Sequence, residues 1–319
     1  MQELSILFYG RHMNINPGNR YTYRAYGLVI SSEVELPGFL PCQQPADVHI
    51  VFGKTPEKIE KPTFKRSRLQ LSHNEFLLSD KNTKFYIRDG ETVVIEYRNK
   101  INKDLIIRYL TTVCLAVILY QRGAIPLHGS CVVIDGKGVV FTGNGGAGKS
   151  SLCYAYRKRN HKFLSDEVSV LSLDESGNLM IHPGPPVQRL HLNIITEDDL
   201  QACSVTKSYD RKYLLCNDRN YEADSVPLAA VFEIRKGRTP QVYADRITGT
   251  EKLRCFINNM YYQTILIKMG ISRQYFAKCS EIAGKLDFYH LIRPRKGNSL
   301  QEQMHLVDNI IRNASMNDS

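Results

Sequence analysis

The sequence predicts a mixed α/β fold in which a smaller β-rich stretch, residues 1–100, precedes a larger α/β unit, residues 101–319. Three observations carry this reading. Short runs of β-branched and aromatic residues, broken by turn signals, fill the first hundred positions. An unbroken apolar pattern with helical period follows at 103–121. A glycine-rich loop ending in Lys149-Ser150 then stands between an apolar strand and a helix.

Taken in order, 23–30 and 47–52 read as strands separated by proline-containing loops. Residues 85–88 and 91–97 flank Asp89-Gly90, a pair that supplies the positive φ angles of a tight hairpin. The segment 103–121 has neither Pro nor Gly and is apolar nearly all round, so it is expected to be buried between the two halves. Residues 131–134 and 139–142, joined by Asp135-Gly136-Lys137-Gly138, form a second hairpin whose outgoing strand enters Gly143. A short helix is expected over 149–160, then a strand from Phe163 that is interrupted by Asp166-Glu167 and continues over 168–173. It turns at Ser176-Gly177-Asn178 and returns through 179–182. Residues 226–234 read as a strand. Leu253, Phe256, Ile257, Met260 and Tyr261 form one helical stripe, and Tyr275, Phe276, Cys279 and Ile282 another. A last helix opens on a Ser299/Glu302 capping box with Leu300, Met304, Val307 and Ile311 on one face, and 313–319 reads as a polar, frayed tail.

The composition, with 43% hydrophobic and 23% charged residues, fits a globular chain with a sizeable core. A net charge of +10 favours anionic partners. The densest basic stretch, 61–68, holds four basic residues interrupted by Pro, Thr, Phe and Ser, which is not a nucleic-acid-binding pattern. No cysteine pair has CxxC spacing and the nine histidines show no metal motif, so a reduced, cytoplasmic chain is expected. Residues 1–10 lack the features of a signal peptide. The apolar run 105–120 contains Arg108 and is short for a bilayer, so no membrane partner is expected.

The motif with the sharpest chemistry is Gly143-Asn144-Gly145-Gly146-Ala147-Gly148-Lys149-Ser150, a full GxxxxGK[ST] loop, followed by Ser151. Its glycines let successive backbone N–H groups curl around one anion, and the helix N-terminus adds partial positive charge. In such a loop Lys149 bridges the β- and γ-phosphates and the Ser150 hydroxyl ligates Mg²⁺, so ATP and Mg²⁺ are the expected cofactors.

A triphosphate site also needs an acid near the metal and a group that orients or deprotonates the nucleophile. Asp166-Glu167 lies 17 residues after Lys149, and the loop–helix–strand return brings it back towards the phosphates. His128, in Leu127-His128-Gly129-Ser130, precedes the hairpin that feeds the loop and would return to the same end as a phosphate ligand or a neighbour of the carboxylates. Arg189, Arg293 and Arg295 are further candidates for neutralising a transferring phosphate.

Leu127-His128-Gly129, the hairpin, residues 143–150 and Phe163-Leu-Ser-Asp166-Glu167-Val together resemble the catalytic domain of HPr kinase/phosphorylase. The resemblance implies a P-loop domain related to phosphoenolpyruvate carboxykinase. In that likeness Lys149 binds phosphate, Ser150 holds Mg²⁺, Asp166 acts as general base with His128 assisting, and Glu167, with Asp166 beside it, serves the metal. The second acid is Glu where that family has Asp, and Pro183-Gly-Pro-Pro-Val-Gln-Arg-Leu190 stands where its Glu-containing signature would follow.

The whole chain is similar to HPr-kinase-like proteins encoded beside lasso-peptide genes. The likeness rests on Tyr26-Gly-Leu-Val-Ile, Leu36-Pro37, Pro227-Leu-Ala-Ala-Val-Phe and Leu291-Ile-Arg-Pro-Arg295. It implies a kinase that phosphorylates a serine, typically C-terminal, of a ribosomal precursor peptide. The alternatives are a kinase of another protein or of a small hydroxylated metabolite such as serine, and a non-catalytic, nucleotide-gated peptide-binding module. Oligomeric state is left open, a homo-oligomer included.

Overall fold

The fold was analysed in a computed structural model of the chain, which describes residues 7–8, 18–98, 101–197, 199, 204–207, 212–216 and 220–317. Most of residues 1–10, together with Cys203, lies outside the described residues; the seven other cysteines are free thiols.

The first hundred residues build a nine-stranded sheet. In spatial order its strands are Leu40–Pro41, Tyr21–Ala25, Leu28–Ser32, Val48–Phe52, Thr92–Tyr97, Thr83–Arg88, Glu75–Ser79, Leu69–Leu71 and Phe64–Arg66. The hairpin at Asp89-Gly90 forms as expected, with both residues at positive φ. The run 23–30 is not one strand. Tyr26 (φ 60°) and Gly27 (φ 76°) turn it into a hairpin that pairs Ala25 with Leu28, and the Tyr26 N–H donates to Pro183 O at 2.6 Å.

The apolar helix occupies Lys103–Gln121, with a π-turn over Leu110–Cys114. There Thr111 and Thr112 donate their hydroxyls back to the carbonyls of Ile107 and Arg108, the back-bonding that competes with a regular helical ladder. By length and composition the helix passes for a membrane span, yet Leu115 to Tyr120 are all buried in a core shared with both halves of the chain.

The second nine-stranded sheet carries the glycine loop. Its central strands Lys137–Thr142, Val226–Gly237 and Phe288–Pro294 run parallel. Ligand sites in such sheets lie beyond the carboxyl ends of the strands, and Gly143 stands there. Alternate residues face two cores. Cys131, Val133, Val140 and Val231 join the core of the long helix. Val132, Ile134, Val139, Phe141, Phe232 and Ile234 pack on the other side against Leu152 and Tyr156 of the helix Lys149–Lys158 and Met304 and Val307 of the helix Leu300–Asn317. Covering both faces explains why these strands read as continuous apolar runs.

The carboxyl pair does not interrupt one strand. Lys162–Ser165 pairs with Gly129–Ile134, whereas Ser169–Leu173 pairs with Ile125–Leu127. The two chain segments therefore cross together from one group of strands to another, one at His128 and the other at 166–168. Glu167 makes its crossing in the left-handed region, at φ 64°.

Three further details differ from the sequence reading. The stripe 253–261 is cut at Asn258, where the helix Gly249–Asn258 ends, and Met260 forms a β-bridge with Leu127. In Arg273–Lys285, Tyr275, Cys279 and Ile282 are buried but Phe276 is 48% exposed, because adjacent positions on a helix face different ways. At the start of the last helix the Leu300 N–H donates to the Asn298 side chain at 3.1 Å, Gln303, not Glu302, returns its side chain to the Ser299 hydroxyl at 3.1 Å, and the helix runs on to Asn317.

Phe141 is fully buried, stacks on Tyr156 at 5.7 Å and meets Phe232 at a tilt at 6.3 Å. Phe141→Ala is expected to cost about 3–5 kcal/mol, read as a lowered urea midpoint at unchanged slope. A change of under 1 kcal/mol would mean that the core on this face of the sheet does not depend on that ring.

Candidate functional site

The glycine loop is built for close backbone approach. Gly143, Gly146 and Gly148 all have positive φ, and a Cβ on Gly143 would stand 2.6 Å from the Ile234 carbonyl oxygen. Gly148 caps the helix Lys149–Lys158 in a left-handed conformation, so the helix opens at the loop. Lys149 is buried and folds its ammonium onto the loop, donating to the carbonyls of Gly143 at 2.8 Å and Asn144 at 3.4 Å. Burial lowers its pKa, against the opposing charges of Glu167 and Asp166.

Asp166 is the most enclosed acid of the site. Its Oδ1 accepts hydrogen bonds from the Ser130 hydroxyl and, at 3.1 Å, from the Ser150 hydroxyl, while its Oδ2 accepts the Arg189 N–H at 2.8 Å. Burial, then the neighbouring Glu167 charge, raises its carboxyl above the usual aspartate range. Glu167 goes the other way. Burial alone would raise it, but Arg189, Lys212 and His128 together hold it below the usual glutamate range. The Lys212 ammonium is 3.3 Å and the Arg189 guanidinium 3.9 Å from Glu167 Oε1. His128 Nδ1 lies 3.1 Å from the Glu167 carbonyl oxygen and 4.0 Å from its carboxylate, and burial, then Lys149, lowers its pKa. The two acids thus sit in opposite protonation environments side by side, the separation on which acid–base sites rest.

A cleft of about 280 Å³ joins His128, Gly145, Gly146, Gly148 to Ser151, Asp166, Glu167, Arg189, Lys212 and Arg293. Arg293 enters because its Nε donates to the Ala147 carbonyl at 2.9 Å. Arg295 is exposed and lines no described cavity; with Arg293 on Phe288–Pro294 turned to the loop, Arg295 has passed the strand end. Gly143, Asn144 and Gly145 border a second cavity, described below.

Several members of the site were not foreseen. Ser130 follows the His-Gly pair, yet no local pattern marks it as a carboxylate donor. Lys212 stands more than forty residues beyond Glu167. Gln188 links the loop helix to the strand Val187–Leu190, donating to the Ser150 carbonyl at 2.9 Å while accepting from Arg157 at 2.6 Å. Behind the loop, Glu233, Cys255 and His290 bring ligand-type atoms within 4.8 Å of one another, a grouping that residue spacing could not reveal. Arg235 already supplies a cation there, 2.7 Å from the Glu233 carboxylate.

Residues 93–302, two thirds of the chain, match the family described as SynChlorMet cassette protein ScmC. The chain belongs to the ScmC family. No curated protein matches it by sequence. A similar solved structure is the HPr(Ser) kinase/phosphatase from Coxiella burnetii. It is 14% identical, covers 60% of this chain and 94% of its own, and has a TM-score of 0.34. The loop, the crossover acids and Arg293 of the ScmC chain all fall within the matched stretch.

A carboxyl group that holds its proton more tightly in the folded chain than in the unfolded one stabilises the fold below the ordinary aspartate range. That contribution is lost as pH rises through the folded pKa. At neutral pH Asp166 therefore weighs against folding, and Asp166→Asn is expected to raise the melting temperature of the nucleotide-free protein. The gain should shrink on acidification towards the ordinary aspartate pKa of about 3.9. Melting curves across pH check this; a variant that melts lower at neutral pH contradicts the raised proton affinity.

Proposed function

We propose that this ScmC-family protein is an ATP- and Mg²⁺-dependent kinase that transfers the γ-phosphoryl group to an alcohol, with the serine of a ribosomal precursor peptide of lasso type as acceptor. The observation that carries the reading is the contact between the loop and the acid. The Ser150 hydroxyl that closes the GxxxxGK[ST] motif lies 3.1 Å from the buried Asp166 carboxylate.

The donor set fits the expected ligands. Magnesium is a hard cation that takes oxygen ligands and keeps several waters, and Ser150, Asp166 and Glu167 offer only oxygens. When bound, the ion would neutralise charge on the β- and γ-phosphates. Lys149 would exchange its two loop carbonyls for phosphate oxygens, and Arg293, fixed on Ala147, would add positive charge at the same loop.

The reaction needs positioning and charge more than covalent chemistry, since the transition state spreads negative charge over the transferring oxygens. Asp166, with its raised proton affinity, is the group suited to accept the acceptor's hydroxyl proton. Glu167, held ionised chiefly by Arg189 and Lys212, suits the metal and fixes those two cations in place. His128 positions Glu167 through its main-chain oxygen.

The test is to incubate the full chain with ATP, Mg²⁺ and candidate precursor peptides and to look for a mass gain of about 80 Da, one phosphoryl group. Asp166→Asn is expected to lower kcat by about 10²–10⁴-fold while leaving ATP affinity within a few-fold. Lys149→Ala should remove ATP binding detected by calorimetry. ATP binding without transfer to any peptide, protein or hydroxylated metabolite, together with full cellular function of Asp166→Asn, would replace the kinase reading with a nucleotide-gated binding module.

A further inference from the structure

Beside the phosphate cleft lies a larger cavity of about 470 Å³. It is bordered by Gly143 to Gly145 on one side and by His128, Glu167, Arg189, Lys212, Asn259 and Tyr261 on the others. The two spaces share His128, Gly145, Glu167, Arg189 and Lys212, so the cavity opens onto Glu167 and adjoins the cleft that Asp166 lines. Its far wall is formed by Thr112 and Tyr262. Those same two residues border a third space of about 360 Å³, walled by Leu69, Phe76, Leu78, Val113 and Ile265. The two spaces therefore meet at Thr112 and Tyr262, one charged on the loop side and the other mostly apolar, and together they outline a groove.

Four features make this more than a gap between elements. The apolar end is contributed by four elements: the strands Leu69–Leu71 and Glu75–Ser79 of the first sheet, the long helix at its π-turn, and the helix Gln263–Met269. It is where the first sheet contributes to the described cavities that adjoin or continue the phosphate site. The π-turn falls at Thr112 and Val113, and such turns recur at functional positions. A ladder of rings joins the two ends. His128 stacks on Tyr261 at 5.9 Å, and Tyr261 meets Tyr262 edge-on at 4.8 Å. Tyr262 itself is held in the left-handed region (φ 50°) and is 40% exposed, an arrangement that stores strain for a bulky residue.

We propose that this groove is the acceptor site. It takes a peptide whose hydroxyl-bearing residue lies in the charged cavity and whose apolar side chain, one or two residues away, fills the space over Val113. The proposal rests on the kinase reading above and narrows its acceptor. A peptide fits better than a free amino acid because both ends of the groove need filling, and an extended residue advances only about 3.3–3.6 Å. It fits better than a lipid because the exposed Asn144 and Asn258 amides line the charged cavity, where a main chain needs hydrogen-bonding partners. Leucine- or phenylalanine-sized side chains suit the apolar end, whose lining is aliphatic and aromatic apart from Arg108 and Thr112.

The test uses the full chain with ATP, Mg²⁺ and a positional-scanning peptide set. Each peptide has one central serine and a single flanking position set to Leu, Phe, Ala or Asp. Transfer is followed by mass spectrometry and binding by anisotropy of labelled peptides. Peptides with Leu or Phe at one defined flank are expected to exceed their Ala counterparts in kcat/KM by about ten- to hundredfold, the usual worth of an apolar contact. Leu69→Lys and Val113→Arg should abolish that preference and leave ATP affinity unchanged, which also shows that each variant is folded. Equal use of all flanks, or equal damage to Leu and Ala peptides in both variants, overturns the proposal. So does a hydroxylated lipid or free serine as the sole acceptor. Flank-dependent binding without transfer would support the groove and sink the kinase reading, whereas transfer without flank preference would do the reverse.

Discussion

The site depends on the enclosure of one carboxylate. Asp166 sits where the chain leaves the strand beside Gly129–Ile134, and three donors from three different segments converge on it: Ser130, Ser150 and the main chain at Arg189. A buried carboxylate is tolerated only when it is hydrogen-bonded and charge-balanced. Here the balance comes from Lys212 and Arg189 through Glu167. Once this acid is fixed, the positions of the glycine loop, the His128 crossing and the segment around Arg189 follow, since each must reach the same carboxylate or its neighbour.

The paired crossing gives that enclosure its geometry. Two adjacent segments leave one group of strands and join another at His128 and at Asp166–Glu167, so these side chains stand in a seam between strand groups. Polar side chains in a continuous ladder would alternate between the two buried faces. The seam avoids that by placing them where neither face is complete. The left-handed Glu167 backbone is the local consequence, and the glutamate meets Arg189 and Lys212 there.

Much of this was legible in the chain itself. The glycine loop, both Asp-Gly hairpins, the long buried helix and the return of His128 and Asp166 to the loop could all be read, because local turn chemistry and apolar period govern them. Arg293 and Arg189 were visible only as unranked arginines, and Arg295 looked equivalent to its neighbour although it points to solvent. Ser130, Lys212 and Gln188 were not legible. Each acts through a partner distant in sequence, and a hydroxyl, an amine or an amide carries no periodic signature. The turn at Tyr26-Gly27 was hidden for a different reason: a bulky tyrosine is a rare choice for positive φ, and its hydrogen bond to Pro183 O supplies the compensation from far along the chain.

The resting posture of Lys149 has its own implication. Its ammonium is satisfied by the loop's carbonyls at Gly143 and Asn144, so the loop is cross-braced by its own lysine. On the proposed reading, a nucleotide would have to compete with the protein's own main chain for that one cation. Its affinity would then be a difference between two sets of oxygens rather than the sum of one.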